Sequence, residues 1–150
     1  MKHSLLYIVA FATLMICGGC QNDGNIGDLF GTWRVDSYER DGAQVEIRGG
    51  ATFSFQSSVV NAVLTVDNYG TNWSRFGSWE QPDDKTMRLD FTHHDDNTPV
   101  GTGIYAAPEW FGMTSAEVMT MDCTLKGDDM TWTWTAPDGA RCVYKLHKTW

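Results

Sequence analysis

Three neighbouring stretches decide how the chain folds: Met119-Thr120-Met121-Asp122-Cys123-Thr124-Leu125-Lys126, Met130-Thr131-Trp132-Thr133-Trp134-Thr135, and Arg141-Cys142-Val143-Tyr144-Lys145-Leu146-His147-Lys148. In each, one set of alternate positions is large and apolar, and in the first two the other set is polar throughout. Side chains of a strand point to opposite faces in turn, so this period of two predicts strands with one face dry and one wet. Gly127-Asp128-Asp129 and Pro137-Asp138-Gly139 separate the three stretches. These residues favour tight turns, and the segment therefore reads as a three-stranded meander.

The pattern continues toward the N-terminus. Met87, Leu89 and Phe91 alternate with Arg88 and Asp90. Strands are expected over 32–39, 43–56, 59–67, 72–80, 86–92, 117–126, 129–136 and 140–148. Further turn signals stand at Asp41-Gly42, Asp67-Asn68-Tyr69-Gly70 and Pro82-Asp83-Asp84. Gly49-Gly50 marks a bulge or bend inside the second strand. Only the connection at 93–116 is long, and Pro108-Glu109-Trp110-Phe111 within it suits the start of a short helix. Eight strands joined in series must hide two edges, and closure hides both. The predicted fold is all-β: an eight-stranded antiparallel up-and-down β-barrel, with one long loop or short helix between strands five and six. An open sandwich is the alternative.

The first twenty residues do not belong to that barrel. Met1-Lys2-His3 is basic, and the run from Leu5 to Ile16 carries no charge. That order is the layout of an export signal, and the run is shorter than the roughly 20 residues a spanning helix needs. Cys17-Gly18-Gly19-Cys20 resembles the lipobox of bacterial lipoproteins, with Cys17 where that motif usually holds a Leu-like residue. The resemblance implies a signal peptide at 1–19, acyl chains such as palmitate on Cys20, a polar tether at 20–29 and a barrel domain at 30–150. A plain secretory signal cleaved near Gly19 is the simpler alternative. Gln21 follows the modified position, where Asp is associated with inner-membrane retention in some bacteria, so the resemblance implies an outer-membrane address. Which face of that membrane the protein occupies is not legible.

Removing Lys2 from the 11 basic residues leaves 10 against 19 acidic ones, a net charge of −9. Such a surface repels phosphate backbones and anionic lipid, which argues against nucleic acid as a partner. All seven tryptophans lie beyond residue 20, as suits an aromatic core or a binding surface.

Gly31-Thr32-Trp33 opens the first strand, and Gly77-Ser78-Trp79 sits near the middle of the chain. With the lipobox, a short linker and a terminal meander, this order of parts resembles the lipocalin-like (calycin) lipoproteins of Bacteroides-type bacteria. The resemblance implies that Arg141 on the last strand covers Trp33. It also implies that the first strand begins at the closed end of the barrel, beside the tether, with the 93–116 connection at an open mouth facing away from the membrane.

The candidate ligand cavity is lined by Trp33, Phe53, Phe55, Phe91, Trp132, Trp134 and Tyr144, with Met87, Met119 and Met121. An eight-stranded barrel is just wide enough to be filled by its side chains or to hold one small ligand, and so many large inward residues favour filling or a shallow pocket at the mouth. Trp110 and Phe111 form a candidate mouth loop, serving as a lid or as a stopper. His93-His94-Asp95-Asp96 could ligate a metal, but adjacent loop residues rarely converge on one ion, and a solvated loop with no metal is expected. Cys123 and Cys142 both point inward with one strand between theirs, a spacing of about 9–10 Å. That exceeds the reach of a disulfide and predicts buried thiols. No nucleophile elbow, zinc-protease motif or phosphate loop is present, so neither enzymatic activity nor a cofactor is expected. Two functions follow: a membrane-anchored barrel binding a small hydrophobic or amphipathic ligand at its mouth, or a filled barrel whose loops bind a protein or glycan.

Overall fold

The alternating stretches all form strands in a computed structural model, which describes residues 27–47, 49–66, 71–93, 99 and 103–150. They are β1 (Gly31–Arg40), β2 (Ala43–Val45), β3 (Ala51–Gln56), β4 (Val59–Thr65), β5 (Asn72–Asp83), β6 (Thr86–Asp90), β7 (Met119–Lys126), β8 (Asp129–Thr135) and β9 (Arg141–Lys148). All pairings are antiparallel, in the order β2-β1-β3-β4-β5-β6-β7-β8-β9. β1 also pairs with β9, from Trp33 opposite Lys148 to Arg40 opposite Cys142. That second pairing closes eight strands into a barrel, and β2 rides as a short extra strand on the end of β1.

Two boundaries differ from expectation. The stretch 43–56 is two strands rather than one. Gly49 has φ +78°, and a Cβ there would meet the Thr65 carbonyl oxygen at 1.8 Å, so the chain breaks from strand geometry at a residue only glycine can supply. β5 runs on through Pro82, past a register irregularity between Glu80 and Asp83. Proline is tolerated there as it is at bulges generally. The expected export signal, Cys20 and most of the expected tether lie outside the described residues, as do residues 67–70.

Both Gly-x-Trp motifs have a steric cause. Gly31 has φ +124°, and a Cβ on it would stand 1.9 Å from the Trp150 carbonyl oxygen, which accepts the Thr32 N–H. A Cβ on Gly77 would come within 2.5 Å of the Asp90 carbonyl oxygen and 2.7 Å of the Phe91 ring. Each glycine lets a neighbouring element approach closely, and the tryptophan two residues on shares its face.

The base of the barrel is the end where β1 begins. Trp33 donates its indole N–H to the Leu29 carbonyl at 2.8 Å, which fixes a 3₁₀ turn at Gly27–Leu29 beneath it. Lys148, not Arg141, covers the indole, with Nζ 5.4 Å from the ring centre. Arg141 lies at the other end of β9, where its N–H bonds to Asp41 Oδ1. The reason is antiparallel pairing: the start of β1 meets the end of β9.

Candidate functional site

The interior is occupied. Trp33, Phe53, Phe55, Met87, Phe91, Phe111, Met119, Met121, Trp132 and Tyr144 are each 0 % exposed, so no void large enough for a water molecule lies against them. Phe53 and Phe55 meet Trp132 edge-on at 5.0 and 5.9 Å. The barrel thus brings the expected cavity residues together as a packed aromatic core, with Trp134 also buried.

Phe111 closes that core from above. The segment 103–118 crosses the mouth and contains two 3₁₀ turns, Gly103–Tyr105 and Glu109–Phe111. The Phe111 ring lies 5.4 Å from Phe53 and edge-on to Tyr38 and Tyr144 at 6.1 and 6.2 Å. Its carbonyl accepts the Tyr144 hydroxyl at 2.7 Å. Gly112 follows, and a Cβ there would sit 2.6 Å from the Tyr38 hydroxyl oxygen. Ala106, Ala107, Pro108 and Met113 are buried as well, and the Ala107 N–H is held by Ser115 Oγ. The segment is therefore part of the packed body. The two expected mouth residues divide the work: Phe111 is the stopper, and Trp110 stays half-buried at the rim.

Around Trp110 the mouth has a face that the sequence reading missed. Ala62 and Leu64 of β4 stand opposite Arg75 and Trp73 of β5. Residues directly opposite share a face, and Ala62 is buried in the core, so Arg75 belongs to the inner wall. Its guanidinium carbon lies 5.3 Å from the Trp110 ring centre, and Trp73 approaches the same ring at 6.1 Å. Arg75 Nη1 donates to the Ser74 carbonyl at 3.1 Å, and among the described residues no carboxylate reaches the guanidinium. Trp73 and Ile104 are each 50 % exposed and Tyr105 41 %. The Trp110 indole N–H is buried with no hydrogen-bond partner. Parity with Trp79 was the available signal for Trp73 and Arg75. Trp110 and Gly31 occupy opposite ends of the barrel, as the expected orientation requires.

Asn61 Oδ1 and the indole N–H groups of Trp79 and Trp132 are likewise buried without a hydrogen-bond partner, and the titratable groups elsewhere are paired or lie apart. Cys123 and Cys142 are free and buried. Burial pushes the Cys123 thiol up to about 11, against a smaller opposing pull from Trp132. Burial likewise raises Tyr38 and Tyr144. Arg40 reaches Cys142 Sγ at 3.7 Å and forms an ion pair with Asp138. A groove of about 580 Å³ on the outer wall runs past Ser78, Glu80, Arg88 and Asp90, where Glu80 and Arg88 neutralise each other at 2.7 Å. His93 pairs with Asp90 at 3.1 Å, and His94, Asp95 and Asp96 lie outside the described residues. Among the described residues no group of three or more His, Cys, Asp or Glu is placed to hold a metal ion.

No family model and no curated protein matches the chain, whereas solved structures do. A lipocalin-like protein from Bacteroides uniformis ATCC 8492 superimposes with a TM-score of 0.54 at 17% identity, covering 79% of this chain and 98% of that one. An uncharacterized protein from Bacteroides eggerthii DSM 20697 gives 0.55 at 17% identity, covering 80% and 100%. The likeness is one of fold, and the fold is lipocalin-like.

Proposed function

We propose that this chain is an outer-membrane lipoprotein, anchored through Cys20, whose barrel mouth binds a small amphipathic anion without catalysis. One observation carries the ligand class: Arg75, on the inner wall beside the Trp110 ring that Trp73 also approaches, has among the described residues no carboxylate to neutralise it. A guanidinium offers a planar fork of donors to a carboxylate or sulfonate. Tryptophan rings beside it suit a flat or aliphatic body. The filled interior below Phe111 supports binding at the rim rather than deep in the barrel.

The test uses the unlipidated Cys20→Ser protein beginning at residue 20, titrated with 1-anilinonaphthalene-8-sulfonate and with decanoate as competitor. Saturable binding is expected, weakened about tenfold or more in Arg75→Gln, because a hydrogen bond to a charged group contributes about 1.5–3 kcal/mol. Equal affinity in Arg75→Gln overturns the assignment. Absence of binding in the parent protein favours the second reading, in which the exposed Trp73, Ile104 and Tyr105 meet a protein or glycan.

A further inference from the structure

The base carries a second aromatic surface, which neither the core nor the mouth uses. Trp150 is 72 % exposed and Phe30 38 %, and their ring centres are 5.7 Å apart. They stand where the tether enters the fold. Leu29, next to Phe30, is buried and bound to the Trp33 indole, and Lys148 Nζ donates to the Asp28 carbonyl at 2.7 Å. The entry point is thus pinned to the base.

Chain length then limits what this surface can meet. Residue 27 follows Cys20 by seven positions, and seven residues span at most about 25 Å when fully extended. An acylated Cys20 seated in a bilayer holds the base within that distance of the headgroups. Indole rings, apolar with one polar N–H, concentrate at membrane–water interfaces. In the two turns flanking the base, Asp83, Asp84, Asp128 and Asp129 outnumber Lys85 and Lys126, which disfavours anionic lipid.

We infer that Phe30 and Trp150 form a membrane foot, which enters the headgroup region of a zwitterionic bilayer and sets the mouth facing outward. The inference rests on the lipid-anchor reading of Cys20. Full-length lipoprotein is reconstituted into phosphatidylcholine vesicles with brominated acyl chains, and tryptophan quenching is compared between wild type and Trp150→Phe. The wild type is expected to show a quenched component that the variant loses, and vesicles rich in phosphatidylglycerol should diminish it. Intact mass of the same preparation reports acylation. Equal quenching in both proteins with Cys20 acylated overturns the foot alone, whereas an unacylated Cys20 overturns the anchor and the foot together. Iodide quenching of the wild type gives a readout that needs no variant: vesicles should shield one exposed tryptophan component, and unchanged iodide access overturns the foot.

Discussion

Replacing Phe111 with alanine removes the ring that stops the barrel and leaves the wall around it in place. The side chain is fully buried, and its neighbours Tyr38, Phe53 and Tyr144 belong to strands of a closed sheet that cannot collapse inward. An aromatic side chain buries roughly 200 Å², which at about 25 cal/mol per Å² is on the order of 5 kcal/mol. Measured Phe→Ala changes in cores cost about 3–5 kcal/mol. The Tyr144 bond to the Phe111 carbonyl involves backbone and survives the change, so a loss near 4 kcal/mol is expected. Urea denaturation followed by tryptophan emission measures it. The vacated space should also take up benzene and raise the melting temperature of the variant more than that of the wild type, as dry engineered cavities do. A loss below about 1 kcal/mol with no benzene response would refute the reasoning, since it would mean that segment 103–118 contributes nothing to sealing the barrel.

Alkali should destabilise the fold. The buried Cys123 thiol titrates at about 11 against an ordinary 9.0, so its contribution is complete below pH 9 and is lost as pH rises through 11, by about 2–3 kcal/mol at 1.36 per unit. Burial of Tyr38 and Tyr144 acts in the same direction above pH 10. Chemical denaturation at pH 8 and pH 11 checks the loss, which Cys123→Ala should reduce. Gly77→Ala should cost about 1–3 kcal/mol by overpacking against Phe91 and the Asp90 carbonyl, read as a lower urea midpoint. Lys148→Met should destabilise by about 0.5–1 kcal/mol through loss of its place over Trp33, while Arg141→Met should stay within about 0.5 kcal/mol; the pair is compared in the same denaturation assay.

The barrel was legible because its walls obey one rule. From Met119 to Lys148 every inward position is apolar except the last, and the turns between strands carry Gly, Asp or Pro, so period and punctuation agree. The rim was not legible because β5 inverts the rule. Arg75 stands opposite buried Ala62, and Phe76 stands opposite Asn61 on the other face. Near the mouth the inner wall meets solvent, and burial no longer demands an apolar side chain there. Lys148 escaped for a related reason: it shares parity with Leu146 and Tyr144 but sits at the base, where a charged tip can lie over an indole and still reach water. Which side chain would close the barrel was undecidable from Trp110-Phe111 alone, because the two neighbours point in different directions and only tertiary packing selects between them.

The depth at which the proposed ligand would bind follows from what already occupies the barrel. A ligand entering the interior must first displace Phe111 from Tyr38, Phe53 and Tyr144. By the alanine argument that displacement costs about 4 kcal/mol, equivalent to nearly three decades of affinity. An interior ligand with nanomolar intrinsic affinity would therefore bind only near micromolar, unless it rebuilt the same ring contacts. A ligand at the rim meets Trp73, Arg75 and Trp110 as they stand and bears no such cost. In Phe111→Ala the penalty disappears, so affinity for an interior ligand should rise by up to about a thousandfold, whereas affinity for a rim ligand should change little. Titrating both proteins with decanoate separates the two sites: a large gain on truncation would move recognition into the barrel and away from Arg75.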